Sequence, residues 1–199
     1  MTRFLFDMDG TITSVETLPL ISNHFQVGET MDELTQQTVQ GNIPFVESFI
    51  RRVYILGNLP VNEVAELLKD VPIYERLLSF IKLHQEQCVV VTGNLSCWVE
   101  KLAGRIGCKF YCSEGDVENN RVKKLQSILK KEDVVKRYQD RGDRVVFIGD
   151  GNNDVEAMRF ADVAIAAGIT HLPARGCMSV ADYLVLSEVG LCRQLNQLL

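Results

Sequence analysis

The chain has 199 residues, of which 46% are hydrophobic and 24% are charged, a balance typical of a folded globular domain and too apolar for a disordered chain. The formal net charge of −5 argues against a surface that neutralises nucleic-acid phosphates, so we expect no nucleic-acid partner. No apolar run approaches the roughly 18 residues that cross a bilayer, so we expect no membrane partner either. Asp7 and Asp9 interrupt the apolar start, so we expect no signal peptide, and no Cys-x-x-Cys pair is present. These features predict a cytoplasmic protein.

Short apolar runs alternate with helical patterns along most of the chain. The runs predict strands, in chain order, at Phe4–Phe6, Cys88–Val91, Lys109–Cys112, Val145–Ile148, Val163–Ala166 and Tyr183–Leu186. Helical patterns occupy Leu77–His84, Trp98–Ile106, Glu132–Tyr138, Val155–Phe160 and Leu191–Leu198. The alternation predicts an α/β fold, with a Rossmann-like parallel sheet and helices on both of its faces.

The interval from 13 to 72 breaks this alternation. Its apolar residues recur at helical spacing and include Phe45, Phe49, Val53 and Leu56. Pro60 is suited to begin a further helix that reaches Leu68. We therefore predict a core of residues 1–12 and 73–199, with a small helical cap of residues 13–72 inserted after the first strand.

Three predicted strands end in polar motifs. These are Asp7-Met8-Asp9-Gly10-Thr11, Thr92-Gly93-Asn94 and Gly149-Asp150-Gly151-Asn152-Asn153-Asp154. Because ligands of open α/β sheets bind beyond the carboxyl ends of the strands, we expect the motifs to share one crevice. The carboxylates of Asp7, Asp9, Asp150 and Asp154 would repel one another there unless a cation offset their charge. Oxygen ligands favour Mg²⁺, which would also admit a phosphate dianion.

This set of groups is suited to phosphoryl transfer. An aspartate such as Asp7 can act as a nucleophile and form an aspartyl phosphate that water then cleaves. Asp9, two residues on, could protonate the leaving alcohol and afterwards activate the water. Thr92, nearby backbone N–H groups and a lysine could hold the remaining phosphate oxygens.

The motifs, in this order, resemble those of the haloacid dehalogenase superfamily of phosphatases, and the placement of the helical insert resembles its C1-capped members. The resemblance covers the chain from Phe4 to about Leu186. It implies that Asp7 is the nucleophile, that Asp9 is the general acid and base, and that Mg²⁺ is held by Asp7, by the backbone carbonyl of Asp9 and by Asp150. It also implies that Asp154 supports the metal without ligating it.

The same resemblance assigns the phosphate-binding groups. The groups expected to bind substrate or phosphate are Thr92, Gly93, Asn153 and a downstream lysine. The candidate lysines are Lys123, Lys124, Lys130 and Lys131. The family's lysine opens a helix with apolar residues three and four positions on, which Lys131 matches through Val134 and Val135. We therefore favour Lys131.

Within the superfamily, the chain most resembles the phosphoserine phosphatases. Their pattern includes a Glu after the first motif and an Arg in a cap helix, matched here by Glu16 and by Arg52 in the segment 45–53. The resemblance implies that Glu16 meets the substrate's amino group and Arg52 its carboxylate. The chain departs from the pattern at Gly10, where the family usually has Ser, and at Thr92-Gly93-Asn94, where it has Ser-Gly-Gly.

The function predicted from the sequence is Mg²⁺-dependent hydrolysis of a small phosphorylated metabolite, O-phosphoserine first, by a monomer or homodimer. Three alternatives stay open at this point. The ester could be another small phosphate monoester, or the phosphoryl group could pass to an acceptor alcohol. A binding protein on a retired phosphatase fold would be expected to lack Asp7, Asp9 or Asp150, and all three are present.

Overall fold

The fold is known from a computed structural model, which describes residues 1–28, 31, 33–34, 37 and 43–199. The strands are β1 (Thr2–Phe6), β2 (Cys88–Leu95), β3 (Lys109–Glu118), β4 (Arg121–Ser127), β5 (Arg144–Gly149), β6 (Val163–Ala167) and β7 (Tyr183–Val185). They form one sheet of order β4-β3-β2-β1-β5-β6-β7. Every pair in the sheet is parallel except β3 and β4, which are antiparallel. The predicted α/β fold is therefore confirmed, although the sequence did not predict β4.

The described helices cover both faces of this sheet. They are α1 (Thr17–His24), α2 (Phe45–Leu56), α3 (Val61–Lys69), α4 (Glu75–Leu83), α5 (Ser96–Ile106), α6 (Lys131–Gln139), α7 (Val155–Phe160), α8 (Arg175–Val180) and α9 (Glu188–Gln197). Phe4 and Phe6 of β1 belong to an apolar cluster on one face, and Leu5 between them belongs to the cluster on the other. Each of these side chains is fully buried, which stabilises the fold by about 1.5–3 kcal/mol per residue. Burial on both faces explains why the strands are continuous apolar runs.

The described helices between β1 and α4 are α1, α2 and α3, and we call this stretch the helical interval. The chain leaves and returns at one place, where Thr13 pairs with Ile73 in an isolated antiparallel bridge. Phe49, Val53 and Leu68 join the same apolar cluster as Phe4, so the described part of this interval shares one core with the sheet. Residues 29–30, 32, 35–36 and 38–42 of the predicted cap lie outside the described residues. The division into core and cap stays a prediction.

The hairpin formed by β3 and β4 supports this helical interval from the side. Asn119 and Asn120 form its turn with φ of +50° and +62°. The N–H of Val61 donates to the carbonyl of Asn120 at 2.8 Å, and the N–H of Val122 donates to the carbonyl of Gly57 at 2.9 Å. The segment between α2 and α3 is thereby tied to the sheet edge. In the part of the chain that the structure describes, no helix has the length and apolarity to cross a membrane.

Candidate active site

A cleft of about 350 Å³ opens at the carboxyl edge of the sheet, beyond β1, β2 and β5. Among the residues predicted from the sequence, its lining includes Asp7, Asp9, Glu16, Arg52, Thr92, Gly93, Asp150 and Asn153. Leu18, Pro19, Phe49, Asn94, Gly151 and His171 complete the lining. The structure therefore brings together residues from the sheet edge and from the helical interval, which lie far apart in sequence.

Lys131 lies beneath this cleft at the first position of α6 and is only 3% exposed. Its Nζ donates to Asp7 Oδ1 at 2.5 Å and to Asp154 Oδ1 at 2.6 Å. Burial alone would lower the pKa of Lys131, but the carboxylates of Asp154 and Asp7 raise it above the ordinary lysine value. The lysine stays charged next to Asp7. Of the candidate lysines, Lys131 reaches the site, whereas Lys123 pairs with Glu118 on the hairpin.

Asp154 organises the loop that follows β5. Its Oδ2 accepts hydrogen bonds from the backbone N–H of Asp150 at 3.1 Å and of Gly151 at 3.0 Å, while Oδ1 faces Lys131. The side chain is completely buried. Asp154 thus fixes the backbone that presents Asp150, which agrees with a supporting position.

The carboxylates of Asp7, Asp150 and Asp154 approach closely enough to share a cation, with oxygen atoms within 4.8 Å of one another. Burial, and then the charge of Asp154, raise the pKa of Asp7 well above its usual range, although Lys131 opposes this. Burial likewise raises the pKa of Asp150 to about 7, against the hydrogen bond that Thr11 Oγ1 donates to it at 2.6 Å. Without further positive charge, burial and mutual repulsion disfavour the ionised forms of Asp7 and Asp150. This buried, all-oxygen donor set fits Mg²⁺.

Both carboxylate oxygens of Asp9 are held. The backbone N–H of Thr17 donates to Oδ1 at 2.8 Å, and Asn94 Nδ2 donates to Oδ2 at 2.5 Å. Burial raises the pKa of Asp9 to about 6, although hydrogen bonds from Thr17 lower it. A carboxyl group with a pKa near neutrality can both donate and accept a proton there.

Thr92 and Gly93 lie in β2 at the wall of the cleft. The Thr92 side chain is buried, and its Oγ1 accepts a hydrogen bond from the backbone N–H of Asn94 at 3.2 Å. The hydroxyl hydrogen of Thr92 is therefore available for a bond to an anion in the cleft.

The lining also includes Glu16, Arg52 and a residue that the sequence did not single out, His171. His171 Nε2 lies 3.1 Å from Glu16 Oε1 and 3.2 Å from Asp150 Oδ2. Burial would lower the pKa of His171, but the hydrogen bond with Glu16 and the charge of Asp150 raise it. Burial also lowers the pKa of the half-buried Arg52 guanidinium. The wall is thus built from groups of both charge signs.

Among the polar side chains that line the cleft, the sequence did not point to Asn94 or His171. Asn94 was noted only as a departure from the family pattern, because nothing in the sequence shows that its amide reaches Asp9. His171 lies in the loop after β6, which ends at Ala167. The rule that ligands bind beyond strand carboxyl ends, applied to β6 as well, is the signal that would have pointed to it.

Comparison with known proteins supports these observations. A model of the haloacid dehalogenase-like hydrolase family matches residues 1–162. The chain is 27% identical over 181 residues to the phosphoserine phosphatase of Methanocaldococcus jannaschii, which covers 81% of this chain and 83% of that protein. It is 25% identical over 175 residues to the phosphoserine phosphatase of Archaeoglobus fulgidus, again over 81% of this chain. The chain spans about half of that relative, 51% of its length.

The solved structures agree at the level of the fold. A substrate-bound phosphoserine phosphatase complex superposes with a TM-score of 0.80 at 22% identity, covering 98% of this chain and 96% of that chain. A haloacid dehalogenase family hydrolase from Salmonella enterica superposes with a TM-score of 0.81 at 19% identity, covering 92% and 67%. Together with the sequence matches, they confirm the resemblance that the motifs indicated.

Proposed function

The chain belongs to the haloacid dehalogenase-like hydrolase family, and from this we propose that it hydrolyses O-phosphoserine to serine and phosphate through a phosphorylated Asp7. One observation carries the proposal. Lys131 joins Asp7 to Asp154 at the floor of a cleft whose wall also contains Glu16 and Arg52. The cleft therefore offers a nucleophile together with an anionic and a cationic side chain.

Asp7 and Asp150, with the backbone carbonyl of Asp9, are the groups that we propose to hold Mg²⁺. The bound ion would neutralise charge on the phosphoryl group and on the carboxylates around it. The raised pKa values of Asp7 and Asp150 support this assignment, because buried carboxylates of this kind ionise readily only beside a cation.

In the first step, a carboxylate oxygen of Asp7 attacks phosphorus and the bond to the serine oxygen breaks. Lys131 offsets negative charge beside Asp7, and the Thr92 hydroxyl donates to a phosphoryl oxygen. Asp9, protonated at this stage, gives its proton to the departing serine oxygen. The hydrogen bonds from Thr17 and Asn94 hold Asp9 in one orientation for this transfer.

In the second step, Asp9 is ionised and takes a proton from a water molecule. The resulting hydroxide oxygen bonds to phosphorus, and the bond to the Asp7 oxygen breaks. Inorganic phosphate leaves, and both aspartates return to their starting states. A pKa of about 6 suits Asp9 to act as acid and then as base at neutral pH.

Serine is our first choice of leaving group because Glu16 and Arg52 line the same cleft. A carboxylate and a guanidinium complement the ammonium and carboxylate of an amino acid. The relatives named as phosphoserine phosphatases support this choice. The predictions of a cytoplasmic location and of a monomer or homodimer stay predictions.

The test is release of inorganic phosphate from O-phosphoserine, phosphoethanolamine, glycerol phosphate and p-nitrophenyl phosphate, each with and without Mg²⁺. We expect phosphoserine to give the highest kcat/KM. Asp7→Asn should lower kcat by at least about a thousandfold, because the amide is a poor nucleophile. Asp140→Asn, an exposed change after α6, is the matched control and should leave kcat unchanged.

Three other results would change the assignment. Turnover of a different ester with little on phosphoserine would replace the substrate. Alcohol-dependent formation of a phosphorylated acceptor at the expense of free phosphate would indicate a phosphotransferase. Turnover no higher than that of Asp7→Asn on every ester would indicate a binding protein and would sink the proposal.

A further inference from the structure

We infer that His171 is a positioning residue that holds Glu16 in place to receive the ammonium group of the substrate, an inference that rests on the proposed function. His171 Nε2 is 3.1 Å from Glu16 Oε1. The Glu16 side chain is 43% exposed, so without a fixed partner it would sample several rotamers in the cleft. The imidazole removes that freedom.

The loop that carries His171 is itself held by hydrogen bonds on both sides. The Tyr74 hydroxyl donates to the carbonyl of Ile169 at 2.9 Å, and the N–H of Ala174 donates to the carbonyl of Asp150 at 2.8 Å. Within the loop, His171 Nδ1 lies 3.2 Å from the carbonyl of Leu172. These loop contacts place Nε2 of the ring against Glu16.

The charges around Glu16 favour a hydrogen-bonding group at this place. Glu16 and Asp150 each have a carboxylate oxygen within 4.8 Å of the other and of His171 Nε2. Two carboxylates at that separation repel each other, and the half-exposed Glu16 is the one that would turn away. The imidazole between them lets Glu16 stay at the cleft wall.

Because Gly10 has no side chain, it leaves room for Glu16, Asp150 and His171 to approach one another. Its φ is +70°, and a Cβ built there would lie 2.9 Å from both Asp150 Oδ2 and Glu16 Oε1 and 3.0 Å from His171 Nε2. Those separations are shorter than real Cβ contacts, so any larger residue would push the groups apart. Gly10 and His171 thus form one arrangement around Glu16.

The kinetic test separates positioning of the substrate from chemistry. His171→Ala should raise KM for phosphoserine about tenfold, the effect of losing one hydrogen bond to a charged group, while kcat changes less than about threefold. His171→Gln, whose amide can still donate to Glu16, should recover part of the loss. His84→Ala, at the end of α4, is the control and should leave both constants unchanged.

A substrate without the amino group tests the proposed target of Glu16. On 3-phosphooxypropanoate, which keeps the carboxylate of phosphoserine, His171→Ala should change kcat/KM less than about twofold. In the Glu16→Gln background, His171→Ala should add less than about twofold on phosphoserine, because both changes remove the same interaction. Equal losses on both esters, or losses that multiply, would overturn the inference.

A thermal unfolding cycle provides the readout that does not depend on activity. The Tm losses of Glu16→Gln and His171→Ala should sum to more than the loss of the double variant, since the two residues contact each other. Absence of phosphoserine turnover by the wild-type protein would refute the proposed function alone. Additive Tm losses would refute the pairing of Glu16 with His171 whatever the substrate.

Discussion

The orientation of Asp9 is fixed through both of its carboxylate oxygens. Each of its oxygens accepts a hydrogen bond, from the Thr17 backbone and from the Asn94 amide. The Asn94 amide also lies 3.1 Å from Thr17 Oγ1, so Asp9, Thr17 and Asn94 form one buried network. A carboxylate held at both oxygens cannot turn its proton away from the leaving group, which is the property that a general acid needs.

We therefore predict that Asn94→Ala lowers kcat more than it raises KM. The variant loses a hydrogen bond to a charged group, worth about 1.5–3 kcal/mol, so kcat should fall about ten- to hundredfold on phosphoserine. Steady-state kinetics at pH 7 with Mg²⁺ measure this, and the Tm of the variant shows whether it remains folded. Asn196→Ala on α9 is the matched control. A kcat within twofold of wild type would show that Asn94 does not position Asp9.

Among single residues, those that belong to sequence motifs could be predicted. Those whose role depends on contacts made only in the folded chain could not. Asp7 and Asp150 could be predicted because each follows an apolar strand within a recognisable pattern. Lys131 could be chosen among four lysines because Val134 and Val135 place it at the start of a helix. Nothing comparable marks His171, whose importance depends on a loop that approaches Glu16 only in the folded chain.

Among the elements, the β3–β4 hairpin connects the sheet to the helical interval. Its turn residue Asn120 accepts the Val61 N–H with its carbonyl and the Asn62 N–H, at 3.0 Å, with its side chain. Arg121 adds a hydrogen bond from Nη1 to the carbonyl of Asn58 at 2.7 Å. The segment that connects α2, with Arg52, to α3 is therefore fixed from the side of the sheet.

We predict that Asn120→Ala destabilises the protein more than Asn120→Gly. Both variants lose the side-chain hydrogen bonds, but only alanine also resists the positive φ of +62°, at a cost of about 1–2 kcal/mol. The midpoints of urea unfolding should therefore fall in the order wild type, glycine, alanine. Asn119→Ala, at φ +50° in the same turn, is the control for the backbone effect alone. A glycine variant less stable than the alanine variant would contradict this account.

The sequence could not reveal β4 because its pattern does not alternate. The pairing of β3 with β4 shifts register at two places, between Glu114 and Gly115 and between Asp116 and Val117. Val122 and Leu125 consequently pack inward although they are three positions apart, and most of the strand is exposed. The strands β1, β2, β5 and β6 were predictable because burial on both faces makes them continuous apolar runs.

At the scale of the whole molecule, the fold gathers acidic groups at one edge of the sheet in a chain whose net charge is already −5. The parallel α/β class of the fold follows from the alternation of strands and helices, which the sequence shows directly. Whether these carboxylates are ionised does not follow from the sequence, because their pKa values depend on burial and on nearby cations. Folding raises the pKa of Asp9 to about 6 and that of Asp150 to about 7.

These pKa values determine how stability should depend on pH and on Mg²⁺. A carboxyl group whose pKa is raised on folding stabilises the fold below its unfolded pKa of about 3.9, and this contribution disappears as pH rises through the folded pKa. Without metal, Asp9 and Asp150 should therefore lower the free energy of unfolding as pH rises from about 4 to 8. Mg²⁺ binds the ionised carboxylates and should offset the loss, so its effect on Tm should be larger at pH 8 than at pH 5.5.

The expected size of the Mg²⁺ effect follows from linkage. At a concentration one hundred times its Kd, a ligand stabilises the fold by about 2.7 kcal/mol, which raises the Tm of a chain of this size by about 5–10 °C. Thermal scans at both pH values, with Mg²⁺ and with chelator, measure it. Asp140→Asn should keep the full effect, and Asp150→Asn should lose most of it because it removes a proposed ligand. An equal Mg²⁺ effect in Asp150→Asn would place the ion away from the edge of the sheet where Asp7 lies.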